Sequence, residues 1–156
     1  MSPLTVAEIM TREIFAVAPD TSLTTAARLF ATRHISGAPV IDASGKPLGV
    51  VTQTDLCDPD RDRTDRIGRS LFYRVSHHPE MIRGDDALSP EGVVADVMSP
   101  FILSVRPETA LMDAAKLMVD DDVHRLLVTA EGRLVGIVSS MDVLRGLVRG
   151  KNGARK

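Results

Sequence analysis

Gly49-Val50-Val51-Thr52-Gln53-Thr54-Asp55 returns late in the chain as Gly136-Ile137-Val138-Ser139-Ser140-Met141-Asp142. In each copy a glycine and two β-branched residues run into a hydroxyl residue, and an acid follows three positions after it. The apolar run reads as a strand. A Ser or Thr with an acid three residues on reads as a helix start. Outward from this corner the matches continue in one order. Val6-Ala7-Glu8-Ile9-Met10 returns as Val94-Ala95-Asp96-Val97-Met98, and Val17-Ala18-Pro19-Asp20-Thr21 as Val105-Arg106-Pro107-Glu108-Thr109. Leu23, Ala26, Ala27 and Leu29 return as Leu111, Ala114, Ala115 and Leu117, at an offset of 88 residues that closes by one in a turn. Ordered recurrence of this kind marks a duplicated structural unit.

Each unit reads the same way. A helical turn (Thr5 to Met10; Val93 to Met98) leads into an extended piece around Phe15-Ala16-Val17 or Leu103-Ser104-Val105. Pro-Asp-Thr or Pro-Glu-Thr signals a helix start. The helix carries Leu23, Ala26, Ala27 and Phe30, or Leu111, Ala114, Ala115 and Met118, on one narrow stripe. A strand follows (Ala38 to Ile41; Leu126 to Thr129), then a turn at Gly45 or Gly132, and a second strand (Leu48 to Val51; Leu134 to Val138). A last helix begins at Thr52 or Ser139. The fold class is α/β (α+β): tandem β-α-β-β-α repeats with helical lead-ins, packed as a pseudo-two-fold pair that shares a core, because one unit alone has too little. The expected layout is repeat 1 over 1–57, a charged insert over 58–92, repeat 2 over 93–148 and a frayed basic tail over 149–156. Leu71-Phe72-Tyr73-Arg74-Val75 is an apolar island in the insert, read either as a strand or as a segment packed on the pair.

Composition narrows the function. Of 156 residues 44% are apolar and 26% charged, with a net charge of −2; no strong field draws the chain to nucleic acid or anionic lipid. There is no Trp, one Tyr and four Phe, too few for a base-stacking platform. No apolar run reaches a membrane span, and the N-terminus does not read as a signal peptide. A single cysteine, Cys57, cannot form an internal disulfide, which fits a reducing, cytoplasmic setting.

The repeated corner has two readings. As structure, Thr52 with Asp55 and Ser139 with Asp142 are helix caps. As chemistry, a helix start facing a cleft offers N–H groups to a phosphate, the hydroxyl adds a donor, and the acid accepts from ribose hydroxyls.

With the order of motifs in view, the chain resembles a pair of CBS domains, a Bateman module. The resemblance rests on Val6-Ala7-Glu8-Ile9-Met10-Thr11, Ile35-Ser36-Gly37-Ala38-Pro39-Val40-Ile41-Asp42, Val94-Ala95-Asp96-Val97-Met98-Ser99-Pro100, Val123-His124-Arg125-Leu126-Leu127-Val128 and both corners, and covers about residues 5–57 and 92–147. It implies a cleft in each half for AMP, ADP, ATP, S-adenosylmethionine or a related adenosyl ligand, with no cofactor required. It implies ribose on Asp55 and Asp142, and phosphate or ribose on Thr52 and Ser139. Backbone at Ala16, Ile35, Ser36, Ala38, Ser104 and Val123 through Arg125 would line the base pockets. His124 and Arg125 match positions where some members hold phosphate; His124 reads equally as a surface polar residue, while a buried Arg125 calls for an anion. The first half has Ser36-Gly37 in their place. If one cleft takes a charged nucleotide, the second is expected to.

The remaining residues point to no catalysis. There is no Gly-x-Ser-x-Gly elbow, His-Glu-x-x-His, phosphate loop or paired Cys. His77-His78 and His34 lack the partners of a metal site. The reading is a non-enzymatic sensor of adenosyl ligands, a homodimer, acting alone or on a separate regulated chain, with neither nucleic acid nor membrane as partner. The alternative is a dimerisation scaffold with vestigial clefts.

Overall fold

Two reciprocal exchanges hold the halves together, and both follow from the lead-in turns. The structure is a computed structural model and describes residues 3–57, 71–74 and 92–153. In the first half, α1 (Val6–Ile9) precedes α2 (Leu23–Arg33), the antiparallel hairpin β1 (Gly37–Ile41) and β2 (Pro47–Thr52), and α3 (Gln53–Cys57). A turn, α4 (Leu71–Arg74), lies in the insert. The second half repeats the plan with α5 (Val94–Val97), β3 (Ser104–Val105), α6 (Leu111–Asp120), β4 (Arg125–Ala130), β5 (Arg133–Ser139) and α7 (Ser140–Gly153).

The repeat predicted from sequence is present element by element. β3 pairs in parallel with β4, making a three-stranded sheet β3-β4-β5. Its counterpart in the first half shrinks to one parallel bridge, Val17 to Val40. Gly45 and Gly132 take the left-handed conformation that their hairpin turns require, with φ of 88° and 76°. His34 and Asp122 occupy equivalent left-handed positions after α2 and α6, both with φ of 54°; His34 is thus a helix C-cap. α2 begins at Leu23, after Ser22, whose Oγ accepts from the Thr25 N–H at 3.1 Å. The stripes Leu23, Ala26, Phe30 and Leu111, Ala114, Met118 are buried, as their spacing predicts.

The shared core is realised as two clusters, each completed by the other half. Val94 and Val97 of α5 pack with Val17, Leu23, Phe30, Val40 and Leu56. Val6 and Met10, at α1, pack with Leu111, Met118, Leu126, Leu127 and Val138. Backbone pairs fix the exchange: Thr11 with Ile137 and Ser99 with Val50, Thr5 with Ala110 and Val93 with Ser22. The Thr11 N–H donates to the Ile137 carbonyl at 2.8 Å and the Ser99 N–H to the Val50 carbonyl at 2.8 Å. Gly49 and Gly136 are the seats of these crossings. A Cβ on Gly49 would collide with the Ser99 carbonyl oxygen, and one on Gly136 would stand 2.6 Å from Met10 Sδ.

Of the two readings of the island, packing on the pair is the one observed: residues 71–74 form a helical turn rather than a strand, with Phe72 and Tyr73 buried in the second core cluster. Its short aromatic run carries no period from which strand and helix can be told apart. One expectation changes: the last helix continues through Gly153, into the stretch expected to fray. The rest of the 58–92 insert up to residue 91, with His77-His78, lies outside the described residues.

Candidate functional site

Both corners are capped helix starts, and they differ in what the cap uses. In the first half, Asp55 Oδ2 accepts from the Thr52 N–H at 2.9 Å and from Thr52 Oγ1 at 3.1 Å, while the Asp55 N–H donates to Oγ1 at 3.3 Å. Both side chains are consumed, Asp55 has a further partner, and the pair is only 5% and 6% exposed. In the second half, Asp142 Oδ2 accepts from the Ser139 N–H at 2.9 Å, and the Asp142 N–H donates to Ser139 Oγ at 3.2 Å. The Ser139 hydroxyl donates to no group among the described residues. Asp142 Oδ1 lies 3.5 Å from the exposed Arg145 guanidinium.

The loops before β1 and β4 are tied to these corners. The Gln53 N–H donates to the Ser36 carbonyl and the Ser140 N–H to the His124 carbonyl, each at 2.9 Å. Strand register then sets Gly37 opposite Thr52 and Arg125 opposite Ser139. Each half therefore brings Ser36 or His124 next to its own corner. Ile35, Ser36, Ala16 and Ser104 are partly buried; Ala38 and Val123 are buried. Ala16 and Ser104 stand at the extended pieces that pair beside β1 and β4.

His124 and Arg125 meet different surroundings. His124 lines an outer groove of about 450 Å³ between α6 and α7, with Ala115, Met118, Val119, Val143 and Leu147. The Arg125 guanidinium lies 5.0 Å from the centroid of the Phe72 ring. His124 lies in the bend just before β4 and Arg125 is the strand's first residue. Burial pushes the Arg125 guanidinium below its ordinary pKa, though an arginine stays charged. Among the described residues it has no ion-pair partner.

Phe72 and Tyr73 were not among the site residues expected from sequence, yet α4 sits against β2 and β4 beside both candidate sets. The signal was available: an aromatic pair in a chain with four Phe and one Tyr. Among the described residues no three His, Cys, Asp or Glu side chains gather as for a metal, and no helix is long and apolar enough to cross a membrane.

Comparison with known proteins agrees with the duplicated fold. The family model for the CBS domain matches twice, over residues 6–59 and 94–149. The chain is 32% identical over 152 residues to the chloroplastic CBS domain-containing protein CBSX1 of Arabidopsis thaliana, with 93% of this chain covered. It is 30% identical to an uncharacterized protein of Methanocaldococcus jannaschii, with 90% of this chain covered. It spans 64% of the length of the first and 89% of the second. A crystal structure of CBSX2 in complex with AMP superposes with a TM-score of 0.67 at 31% identity, covering 94% of this chain and 98% of that one.

Proposed function

This chain belongs to the CBS domain family, and from that premise we propose that it is a non-catalytic regulatory module that binds an adenine nucleotide, with the second half as the charged site. One observation carries the reading. Arg125, partly buried and without a carboxylate partner among the described residues, stands opposite Ser139, whose hydroxyl donates to no group among those residues. A desolvated guanidinium calls for an anion. A phosphate meets Arg125 and the Ser139 hydroxyl, and Asp142 Oδ1 accepts from ribose without giving up the cap bond on Oδ2. The relative crystallised with AMP supports adenine nucleotides as the class to test.

The scaffold reading has support in the first half alone, where Thr52 and Asp55 are sealed into their cap. A second copy of the chain is the proposed cover for the outer face of α6 and α7. Met112, Val119, Met141, Leu144 and Val148 are exposed there, Val119 at 79%, and such a patch marks an association surface. A regulated partner protein is proposed as the chain's target, in a reducing compartment such as the cytoplasm.

Isothermal titration of AMP, ADP, ATP, S-adenosylmethionine and adenosine into the full chain tests the reading. AMP is expected to bind more tightly than adenosine, and Arg125→Gln to erase that preference, a loss of about 10- to 100-fold for a charge-assisted contact. No heat from any of the five with folded protein contradicts the reading.

A further inference from the structure

Tyr73 is the only tyrosine of the chain and belongs to neither repeat. It is fully buried. Its Oη donates to the Phe101 carbonyl at 2.9 Å and accepts from the Leu103 N–H at 3.1 Å. Its own carbonyl accepts from the His124 N–H at 2.7 Å. Phe72 stands edge-on to it, ring centroids 5.1 Å apart, and carries the Arg125 guanidinium on its face. Phe72 also rests on Gly37: a Cβ there would stand 3.2 Å from Phe72 Cδ2 and 3.4 Å from Thr52 Cγ2. Two rings from outside the repeats thus fill the space between Gly37 and Thr52 of one half and Leu103, His124 and Arg125 of the other.

The groups they satisfy are those a nucleotide needs. A backbone carbonyl and an N–H two residues apart form an acceptor and a donor side by side. One phenol oxygen serves both, and so does a purine edge with an amine next to a ring nitrogen. The guanidinium on Phe72 makes a cation–π contact and has no anionic partner among the described residues. A buried phenol ordinarily finds hydrogen-bond partners; what sets this one apart is that its donor and acceptor lie side by side on one backbone segment, while the neighbouring ring seats a cation with no ion-pair partner among the described residues.

We propose that the Phe72–Tyr73 turn is a built-in occupant of the nucleotide site, its phenol standing where a base edge binds, and that a nucleotide enters the second half by displacing it. The inference rests on the nucleotide-binding reading above. Affinity at this site is then a difference between two occupants, and Tyr73 is the residue that sets it. A displaced phenol also exchanges a dry site, where desolvation pushes its pKa up to about 12, for water.

The test uses the full chain, whose lone tyrosine fluoresces with no tryptophan beside it. AMP is titrated while acrylamide quenching of Tyr73 is followed, and AMP affinity is measured for Tyr73→Phe and Phe72→Ala. Tyr73→Phe keeps the ring's bulk and loses both hydrogen bonds. The expected results are quenching that rises with AMP occupancy and an affinity about tenfold tighter in Tyr73→Phe, with Phe72→Ala shifted the same way. If AMP binds the wild type, quenching stays low and Tyr73→Phe binds no tighter, the turn is permanent core and this inference falls while the nucleotide reading stands. If neither AMP nor adenosine binds the wild type or either variant, both fall.

Discussion

The two corners share a backbone and differ in what their side chains have left to offer. At Thr52–Asp55 the hydroxyl donates and accepts within the cap, and both residues are buried. At Ser139–Asp142 the hydroxyl only accepts among the described residues, the carboxylate keeps Oδ1 outside the cap near Arg145, and Arg125 replaces the Gly37 of the first half. Duplication preserved the scaffold and left the side chains free to diverge: one corner commits hydroxyl and carboxylate to its cap, while the other uses the hydroxyl there only as an acceptor among the described residues.

The widest separation is expected at the crossings. Gly49→Ala sets a Cβ against a backbone carbonyl, which cannot swing away; Gly136→Ala meets Met10 first, a flexible thioether. Denaturant unfolding is expected to show a loss of about 3 kcal/mol for Gly49→Ala and about 1 kcal/mol for Gly136→Ala. Equal losses would mean that the exchanges carry equal strain.

Alkaline pH sharpens the comparison from the other side, because only the second half docks a tyrosine. The free phenol titrates near 10.0 and the docked one near 12, raised first by desolvation. The folded state therefore holds the proton longer. That stabilisation is whole below pH 10 and is lost as pH rises to about 12, an effect on the order of 2–3 kcal/mol. Stability curves measured over this range should lose that slope in Tyr73→Phe.

Smaller effects separate the caps. Asp55→Ala strips acceptors from a buried corner and is expected to cost about 2 kcal/mol, against about 1 kcal/mol for Asp142→Ala, whose cap is partly solvated. Thermal unfolding of the two variants measures the difference.

The repeat, the helix stripes and the capped corners were legible because each is written in local spacing. Which half a lead-in turn packs on was not: Val6 and Met10 read as apolar wherever they go, and only the Gly49 and Gly136 positions hinted that another backbone passes close by. His124 and Arg125 were legible as a cationic pair but not as residues with different neighbours, since that depends on where the strand begins and on the α4 turn. The α4 turn was hidden because four residues carry no period, and its importance comes from contacts with both halves.

The central claim is that the second corner holds the nucleotide and the first does not. Isothermal titration of AMP into Asp55→Asn and Asp142→Asn tests it most directly, since asparagine keeps a cap acceptor and removes the charge. The expected result is an affinity within about twofold of wild type for Asp55→Asn and at least about tenfold weaker for Asp142→Asn. Loss in Asp55→Asn with binding retained in Asp142→Asn would contradict the account.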